Sequence, residues 1–336
     1  MDNPIFEKKN VIVTGGAGFV GSALCERLLK EANVICIDDF SNSNPRNIDH
    51  LLQYPDFEFI NYDVAKPINL EDFDELAKFK IKFQGIQEIY HLACPTSPKD
   101  FVKLKMKSLL ANSYAMINVL ELAVQYKAKL VFASSSVVYG EATAEKNVFK
   151  ETDEGVVHHL SERSCYDEGK RFAETCVETY RQLHGLDLKI ARVFTTYGPG
   201  MKLFEGQLIP DFIVSAVDGK DVVIYGDDNF TNSLCYISDM VDGMVQFMAT
   251  GPDVKLVNLG NEKVVGMPEV AEMIIKMTNS SSKVVFDPPQ LFLTPKGAPD
   301  LTYVKEAVGW FPLVRLEDGL GKMIDYVIAH KEAFQA

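Results

Sequence analysis

Apolar and polar residues alternate with two different periods along the first half of the chain. Short apolar runs, typical of buried strands, occur at 10–14, 33–38, 57–61, 87–93, 129–134 and 188–193. Stretches with the apolar period of a helix occur between many of these runs, at 19–31, 45–53, 103–127 and 164–184. This alternation of strands and helices predicts an α/β fold with a doubly wound parallel sheet.

The pattern changes after about residue 194, where Pro and Gly become frequent and the apolar runs shorten. A later apolar run at 254–260 predicts one more strand, placed to return towards the sheet. The pattern therefore predicts a sheet domain over 1–193, with a returning segment at about 236–260, and a smaller mixed lobe over 194–235 and 261–336.

A glycine-rich turn joins the first predicted strand to the first predicted helix. Gly15 allows the tight turn, Gly18 lets backbone N–H groups approach phosphates, and Gly21 lets the helix pack closely on the sheet. The next strand ends in Asp38, 20 residues after Gly18. A carboxylate at that place bonds both ribose hydroxyls of an adenosine and repels a 2′-phosphate. The sequence thus predicts a Rossmann-type dinucleotide site and favours NAD over NADP.

Tyr166 and Lys170 lie four positions apart, and so on one face of a predicted helix. Upstream, Ser135 belongs to a run of hydroxyls at the end of a strand. We expect Lys170 and a positive nicotinamide to lower the pKa of Tyr166, which then takes the proton of a substrate hydroxyl while Ser135 binds the same oxygen. A Tyr-x-x-x-Lys pattern alone is also typical of a solvated helix face. Together with the glycine turn, it predicts oxidation of an alcohol by NAD.

Composition narrows the possible partners. The chain has 336 residues, 47% of them hydrophobic, and a net charge of −13, which disfavours nucleic acid and anionic membranes. No apolar run approaches the roughly 20 residues of a membrane span. Six cysteines are scattered, without a C-x-x-C pair or a His/Cys cluster of metal-ligand spacing. We expect reduced thiols, no bound metal and a cytoplasmic location.

The two long predicted helices, 103–127 and 164–184, carry apolar positions on more than one face. Such helices pack against a second subunit in many proteins, and we expect a homodimer. Burial within a single subunit explains the same pattern equally well.

Three segments resemble the extended short-chain dehydrogenase/reductase family, whose members modify nucleotide sugars: His91–Pro98, Arg163–Thr175 and Ala191–Pro199. The resemblance covers nearly the whole chain and is strongest to the UDP-glucuronate decarboxylase (UDP-xylose synthase) branch. It implies a nucleotide-diphosphate sugar as substrate and NAD as cofactor. It also implies that the first predicted domain binds the cofactor and the smaller lobe binds the sugar nucleotide.

The same resemblance implies roles for individual residues. The implied catalytic residues are Ser135, Tyr166 and Lys170. The implied cofactor site consists of Gly15, Gly18, Phe19, Val20, Asp38, Asp63, Val64, Leu92, Ala93, Asn112, Tyr166 and Lys170. The implied substrate site consists of Pro95, Ser97, Ser136, Val137, Thr195, Gln207, Tyr225 and Asn232.

Four substrate positions depart from the decarboxylase pattern. Val137 stands where that branch has Glu, Asn232 and Gln207 where it has Arg, and Thr195 where it has Asn. Decarboxylation requires that a carboxylate be recognised, normally by a cation, because a buried unpaired carboxylate is costly. The residues of the oxidation step are unchanged.

We therefore expect oxidation at C4 of the sugar, with three possible outcomes. The family resemblance favours decarboxylation, as in UDP-glucuronate decarboxylase. Val137 and Asn232 instead favour a 4-epimerase or a net 4-dehydrogenase. A dinucleotide-binding sensor without turnover is the alternative of another class, although such proteins usually lose the catalytic Tyr or Lys.

Overall fold

The computed structural model of the protein describes residues 8–143, 145–289 and 297–335. The ends of the predicted domains, residues 1–7 and 336, lie outside this described part. The strands are, in chain order, β1 (Lys9–Thr14), β2 (Ala32–Asp38), β3 (Phe57–Asn61), β4 (Glu88–His91), β5 (Lys129–Ser135), β6 (Val148–Phe149), β7 (Leu188–Val193), β8 (Thr196–Tyr197), β9 (Val222–Tyr225), β10 (Thr231–Ser233), β11 (Cys235–Tyr236), β12 (Leu256–Leu259), β13 (Val264–Gly266), β14 (Val284–Asp287) and β15 (Ala298–Pro299).

The helices are α1 (Phe19–Leu28), α2 (Ile81–Gln84), α3 (Phe101–Leu110), α4 (Met116–Tyr126), α5 (Ser164–His184), α6 (Leu208–Val217), α7 (Ile237–Ala249), α8 (Met267–Met277), α9 (Thr302–Ala307) and α10 (Leu316–Gln335). Short 3₁₀ segments occur at Pro45–Asn47, Asp49–Leu51, Leu70–Asp72, Asp74–Phe79 and Ser136–Tyr139, and a π-helical turn, Ala111–Ala115, separates α3 from α4.

Seven strands form one parallel sheet in the order β12-β7-β5-β4-β1-β2-β3. The chain builds outward from β1 in one direction through β2 and β3. It then crosses back to β4 and continues through β5, β7 and β12. A ligand cleft forms beyond the carboxyl ends of the strands at such a change of direction. The predicted fold class is confirmed.

Both faces of the sheet are buried, as a parallel sheet requires. Neighbouring residues of β1 point to opposite faces. Val11 and Val13 belong to the core that includes Met240 of α7, whereas Ile12 belongs to the core that includes Met116 of α4. The β-branched residues therefore fill two helix-covered layers, and the polar ends of the strands are left for the cleft.

Two predicted helices differ from the structure. The predicted helix 45–53 is only two 3₁₀ turns, and the Asn44 side chain caps the first by accepting the N–H of Arg46 at 3.2 Å. The predicted helix 103–127 changes to the wider π-turn at Asn112. The side-chain amide of Asn112 donates to the carbonyl of Ser108 at 2.8 Å, a position that the backbone N–H occupies in a regular helix.

The predicted run 87–93 is a strand only as far as His91 in β4. Beyond it the chain leaves the sheet and borders the cleft. The predicted run 254–260 contains β12, which pairs with β7 at the edge of the sheet. The smaller strands pair as β6 with β15, β8 with β11, β9 with β14 and β10 with β13.

The division into two domains stays a prediction. Across the described ranges, no helix combines the length and apolarity needed to cross a membrane.

Candidate active site

A cleft of about 430 Å³ opens beyond the carboxyl ends of the sheet strands. Gly15, Asp38, Leu92, Ser135 and Val193, at or just after the ends of β1, β2, β4, β5 and β7, all line it. The cleft therefore lies where the strand order reverses, as the topology requires.

The glycine turn forms the floor of the cleft. Gly15 has a φ of +71°, and a Cβ added to it would lie 2.7 Å from the backbone nitrogen of Ala93. A Cβ on Gly21 would overlap the carbonyl oxygen of Gly15. Gly18 precedes the first turn of α1, whose N-terminal residue Phe19 lines the cleft. The glycine turn thus leaves its backbone open to a ligand beside the N-terminus of α1. Both features fit the pyrophosphate of a dinucleotide.

Asp38 ends β2 and lines the cleft beside the glycine turn. Its Oδ1 accepts the N–H of Phe40 at 2.9 Å and the hydroxyl of Ser43 at 2.6 Å, while Oδ2 accepts the N–H of Ala17 at 3.1 Å. Burial raises the pKa of this carboxyl, and the hydrogen bonds oppose the shift. The carboxylate is held rigidly at the place where an adenosine ribose lies in such folds.

The three predicted catalytic residues converge on one wall of the cleft. Lys170 is buried, and its Nζ donates to the carbonyl of Ala133 at 2.8 Å. The same Nζ lies 5.8 Å from the ring centre of Tyr166. Ser135 lies close enough to Tyr166 for its hydroxyl to lower the pKa of the phenol, and it also accepts the N–H of Val137 at 3.4 Å. The phenol, the ammonium and the hydroxyl are thus positioned around one point, where a substrate oxygen can bind.

Burial dominates the ionisation of Tyr166 in the chain by itself. Burial raises the pKa of the Tyr166 phenol well above its ordinary value, and the neighbouring Cys94 raises it further, while the Ser135 hydroxyl lowers it. Burial also lowers the pKa of Lys170, although Cys94 and Glu174 oppose this shift. The expected lowering of the Tyr166 pKa by Lys170 together with a bound nicotinamide stays a prediction.

Most of the residues predicted for ligand binding lie at the cleft. The predicted cofactor residues that line it are Gly15, Gly18, Phe19, Val20, Asp38, Asp63, Val64, Leu92, Ala93, Tyr166 and Lys170. The predicted substrate residues that line it are Pro95, Ser97, Ser136, Thr195, Gln207 and Asn232. Their roles stay predictions.

Three predicted residues are not part of the lining. Asn112 lies behind it, where its amide donates to Cys94 Sγ at 3.3 Å, and a Cβ on Gly169 would lie 3.0 Å from that amide. Val137 is buried in the 3₁₀ turn after β5. Tyr225 ends β9, where it pairs with Asp287 of β14. For these three the structure offers no direct contact with the cleft.

The part of the cleft lined by Thr195, Gln207 and Asn232, called the substrate half below, offers hydrogen-bond donors at the N-terminus of α6. Gln207 is the residue before the helix, and Leu208 begins it, so both lie at the positive end of the helix. The Thr195 hydroxyl is buried at the lining and has no hydrogen-bond partner in the described structure. Lys202 also lines the cleft, and its Nζ lies 3.9 Å from Oε1 of Glu205. These groups fit an anionic ligand.

The segment after Asp38 contributes residues that sequence reasoning missed. Asn42 Oδ1 accepts the N–H of Thr96 at 3.2 Å. The amide of Asn47 donates to the carbonyls of Ala17 and Gly200, each at 3.2 Å. This segment therefore crosses the cofactor half and ties the glycine turn to the substrate half. A polar Ser/Asn run indicates only a loop, so no local signal could have identified these contacts.

Comparison with known proteins gives a consistent result. The model of the "NAD dependent epimerase/dehydratase family" matches residues 11–260. The chain is 35% identical over 328 residues to UDP-glucuronic acid decarboxylase 1 of Xenopus tropicalis, covering 95% of this chain and 72% of that protein. It is 38% identical over 315 residues to UDP-glucuronic acid decarboxylase 4 of Arabidopsis thaliana, covering 94% of this chain and 67% of that protein.

Solved structures agree in fold. UDP-glucuronic acid 4-epimerase from Bacillus cereus, in complex with UDP-glucuronic acid and NAD, superposes with a TM-score of 0.79 at 26% identity, covering 95% of this chain and 99% of that one. UDP-glucose 4-epimerase from Thermotoga maritima has a TM-score of 0.83 at 24% identity, covering 96% and 99% of the two chains.

Proposed function

The chain belongs to the NAD dependent epimerase/dehydratase family, and from that premise we propose that it oxidises the C4 hydroxyl of a nucleotide-diphosphate sugar. NAD is its cofactor. The observation that carries the proposal is the convergence of Tyr166, Lys170 and Ser135 on the cleft that also contains the glycine turn and a rigid Asp38.

Each of the three side chains has a defined part in the oxidation. When bound, oxidised NAD supplies a hydride acceptor and a positive ring charge. Tyr166 removes the proton of the substrate hydroxyl, and Ser135 holds the same oxygen. Lys170, anchored on the carbonyl of Ala133, keeps a positive charge beside the phenol. In the reverse direction the protonated phenol returns the proton to the ketone, and the raised pKa of Tyr166 suits this step.

The diphosphate of the substrate binds, in this proposal, at the N-terminus of α6. The buried Thr195 hydroxyl, Gln207 and Lys202 supply side-chain donors there. The net charge of −13 repels an anionic substrate at long range. Affinity therefore depends on these local donors.

A second candidate concerns the fate of the ketone. Asn232 and Gln207, which line the substrate half, carry no charge, and the ammonium of Lys202 lies 3.9 Å from the carboxylate of Glu205. The other lysines of the described lining are also engaged, Lys107 with Asp39 at 2.8 Å and Lys170 with the carbonyl of Ala133 at 2.8 Å, so a uronate carboxylate has weak cationic support there. This favours 4-epimerisation or release of the 4-ketone over loss of CO₂, although the two relatives of 35% and 38% identity are decarboxylases.

The test is incubation of the NAD-loaded protein with UDP-, GDP-, dTDP- and CDP-sugars, including UDP-glucuronate. NADH absorbance and product masses distinguish the three outcomes. We expect Tyr166→Phe to retain NAD and to lose turnover by about 10²- to 10⁴-fold. Release of CO₂ from UDP-glucuronate would reject the second candidate. NAD binding without turnover of any sugar would reject the enzyme proposal and favour a sensor.

The homodimer and the cytoplasmic location also belong to this proposal. Exposed apolar side chains follow α3, the π-turn and α4: Val102, Met106, Leu109, Tyr114 and Ile117. Phe172, on the neighbouring helix α5, is also exposed. We propose that a second copy of the chain covers this stripe, because a contiguous exposed apolar patch marks an interaction surface.

A further inference from the structure

We propose that Glu174 is a positioning residue for the oxidation step, because its carboxylate holds α5 in register with the ends of β5 and β7. The inference depends on the function proposed above. Glu174 does not line the cleft in the described structure, so it acts through Tyr166, Lys170 and Ser135.

The first observation is a set of three consecutive contacts between β5 and α5. The carbonyl of Ala133 accepts from Lys170, and the hydroxyl of Ser134 donates to Glu174 Oε1 at 2.6 Å. The third is the approach of the Ser135 hydroxyl to Tyr166, which lowers the pKa of the phenol. Tyr166, Lys170 and Glu174 are spaced four apart and share one face of α5. Ser134 lines the cleft, but Glu174 itself does not, so the carboxylate sets the register without touching a ligand.

The second observation is the salt bridge on the other side of Glu174. Arg192 of β7 donates to both carboxylate oxygens, from Nε to Oε1 at 3.0 Å and from Nη2 to Oε2 at 2.8 Å. Each side chain is only 12% exposed. Such a bidentate pair restricts both position and orientation. Removal of one partner leaves a nearly buried charge uncompensated.

The salt bridge is itself fixed by its surroundings. Arg192 Nη1 donates to the carbonyl of Glu151 at 3.1 Å, and the guanidinium lies 4.7 Å from the ring centre of Tyr139. The Tyr139 hydroxyl donates to Asn258 of β12 at 2.7 Å. The position of α5 is thus tied to three elements: β5, β7 and β12.

The charges around Lys170 give the proposal a signature in pH. Glu174 faces it from its own helix, Tyr166 from the preceding turn, His91 from β4, and Cys94 from the loop after β4. His91 is neutral, since burial and Lys170 lower its pKa to about 3. Arg192 offsets part of the charge of Glu174. Neutralising Glu174 lowers the pKa of Lys170 further. Lys170 then loses its charge at a lower pH, so the alkaline decline in activity begins at a lower pH than in the wild type.

The experiment compares Glu174→Gln, Ser134→Ala and Glu178→Gln in the NAD-loaded enzyme. Glu178 is the matched control: it lies one turn further along α5, and its pair with Arg181 is half-exposed on the Glu178 side. For Glu174→Gln we expect kcat to fall about 10- to 100-fold, KM and NAD content to stay near wild type, and the alkaline limb of the pH profile to move to lower pH. Ser134→Ala lowers kcat less and leaves the limb in place.

Amide hydrogen exchange at residues 164–170 supplies a readout that needs no turnover. We expect faster exchange there in Glu174→Gln than in the wild type or Glu178→Gln. An unchanged alkaline limb and kcat in Glu174→Gln, or equal exchange in all three proteins, would overturn the proposal. If the wild type turns over no sugar, the proposed function fails, and the exchange comparison alone decides the role of Glu174.

Discussion

At the scale of single residues, burial governs ionisation in and near the site. It raises the pKa of the Tyr166 phenol and lowers that of the Lys170 ammonium. Both shifts favour the neutral form, and they share one physical cause, which is that the cleft wall excludes water. The neutral phenol is the form that donates to a ketone, whereas removal of the hydroxyl proton requires the phenolate.

Asp211, in the first turn of α6, gives a prediction for stability. Burial raises its pKa from 3.8 to about 6, and the charge of Glu205 contributes. The folded state therefore binds more protons than the unfolded state between these values, so stability falls as pH rises from about 4 to about 6. The shift of about two units corresponds to about 3 kcal/mol.

We expect Asp211→Asn to flatten this part of the pH dependence and to unfold at higher urea than the wild type at pH 8. The free energy of unfolding, measured in urea at pH 4, 6 and 8, checks the expectation. Parallel pH curves for the two proteins would contradict it.

At the scale of elements, local sequence chemistry decides where helices begin, bend and touch the sheet. The π-turn at Ala111–Ala115 contains Asn112, which contacts both the loop after β4 and α5. The start of α1 depends on the absence of side chains at Gly15 and Gly21. Small local departures from regular geometry thus determine how closely the elements around the cleft approach one another.

Gly21→Ala tests this close packing. The added methyl overlaps the carbonyl of Gly15, so we expect loss of bound NAD and destabilisation by about 1–3 kcal/mol. Gly251→Ala is the matched control, because a Cβ there meets nothing within 4 Å. NAD content and urea unfolding of both variants supply the measurement. Equal behaviour of the two variants would show that the turn tolerates a side chain.

At the scale of the whole molecule, the exposed apolar stripe on α3 and α4 leads to a prediction of assembly. Light scattering of the wild type should give twice the chain mass of 37.5 kDa. Met106→Glu places a charge in the stripe, where Met106 is 64% exposed, and should give the single-chain mass. Phe83→Glu changes a residue that is 85% exposed on α2 and should leave the dimer intact. A monomeric wild type would refute the assembly.

Much of the fold was predictable because its signals are local. The bounds of β3, β7 and α5 agree with the sequence pattern, and β1, β2 and β5 differ by one residue. Alternating burial and helical periodicity act within one element, so they are readable without tertiary information. The shared face of Tyr166 and Lys170 was predictable for the same reason, since both lie on one helix.

Other features depend on residues distant in sequence. Asn42 bonds Thr96 across 54 positions, and Asn47 bonds Gly200 across 153. No window of the sequence contains both partners, and a polar Asn in a loop is compatible with many contacts. The same holds for Glu174, whose position on a helix indicates nothing of Ser134 or Arg192.

The amino-acid sequence by itself determined the doubly wound sheet, the glycine turn, the acid at the end of β2 and the Tyr–Lys pair, because each follows from spacing within a short segment. Only the tertiary structure decided how the loops close around the cleft, that Asn112, Val137 and Tyr225 lie outside its lining, and how burial shifts the ionisation of Tyr166. Burial and long-range hydrogen bonds are properties of the packed chain, and they exist only when distant segments meet.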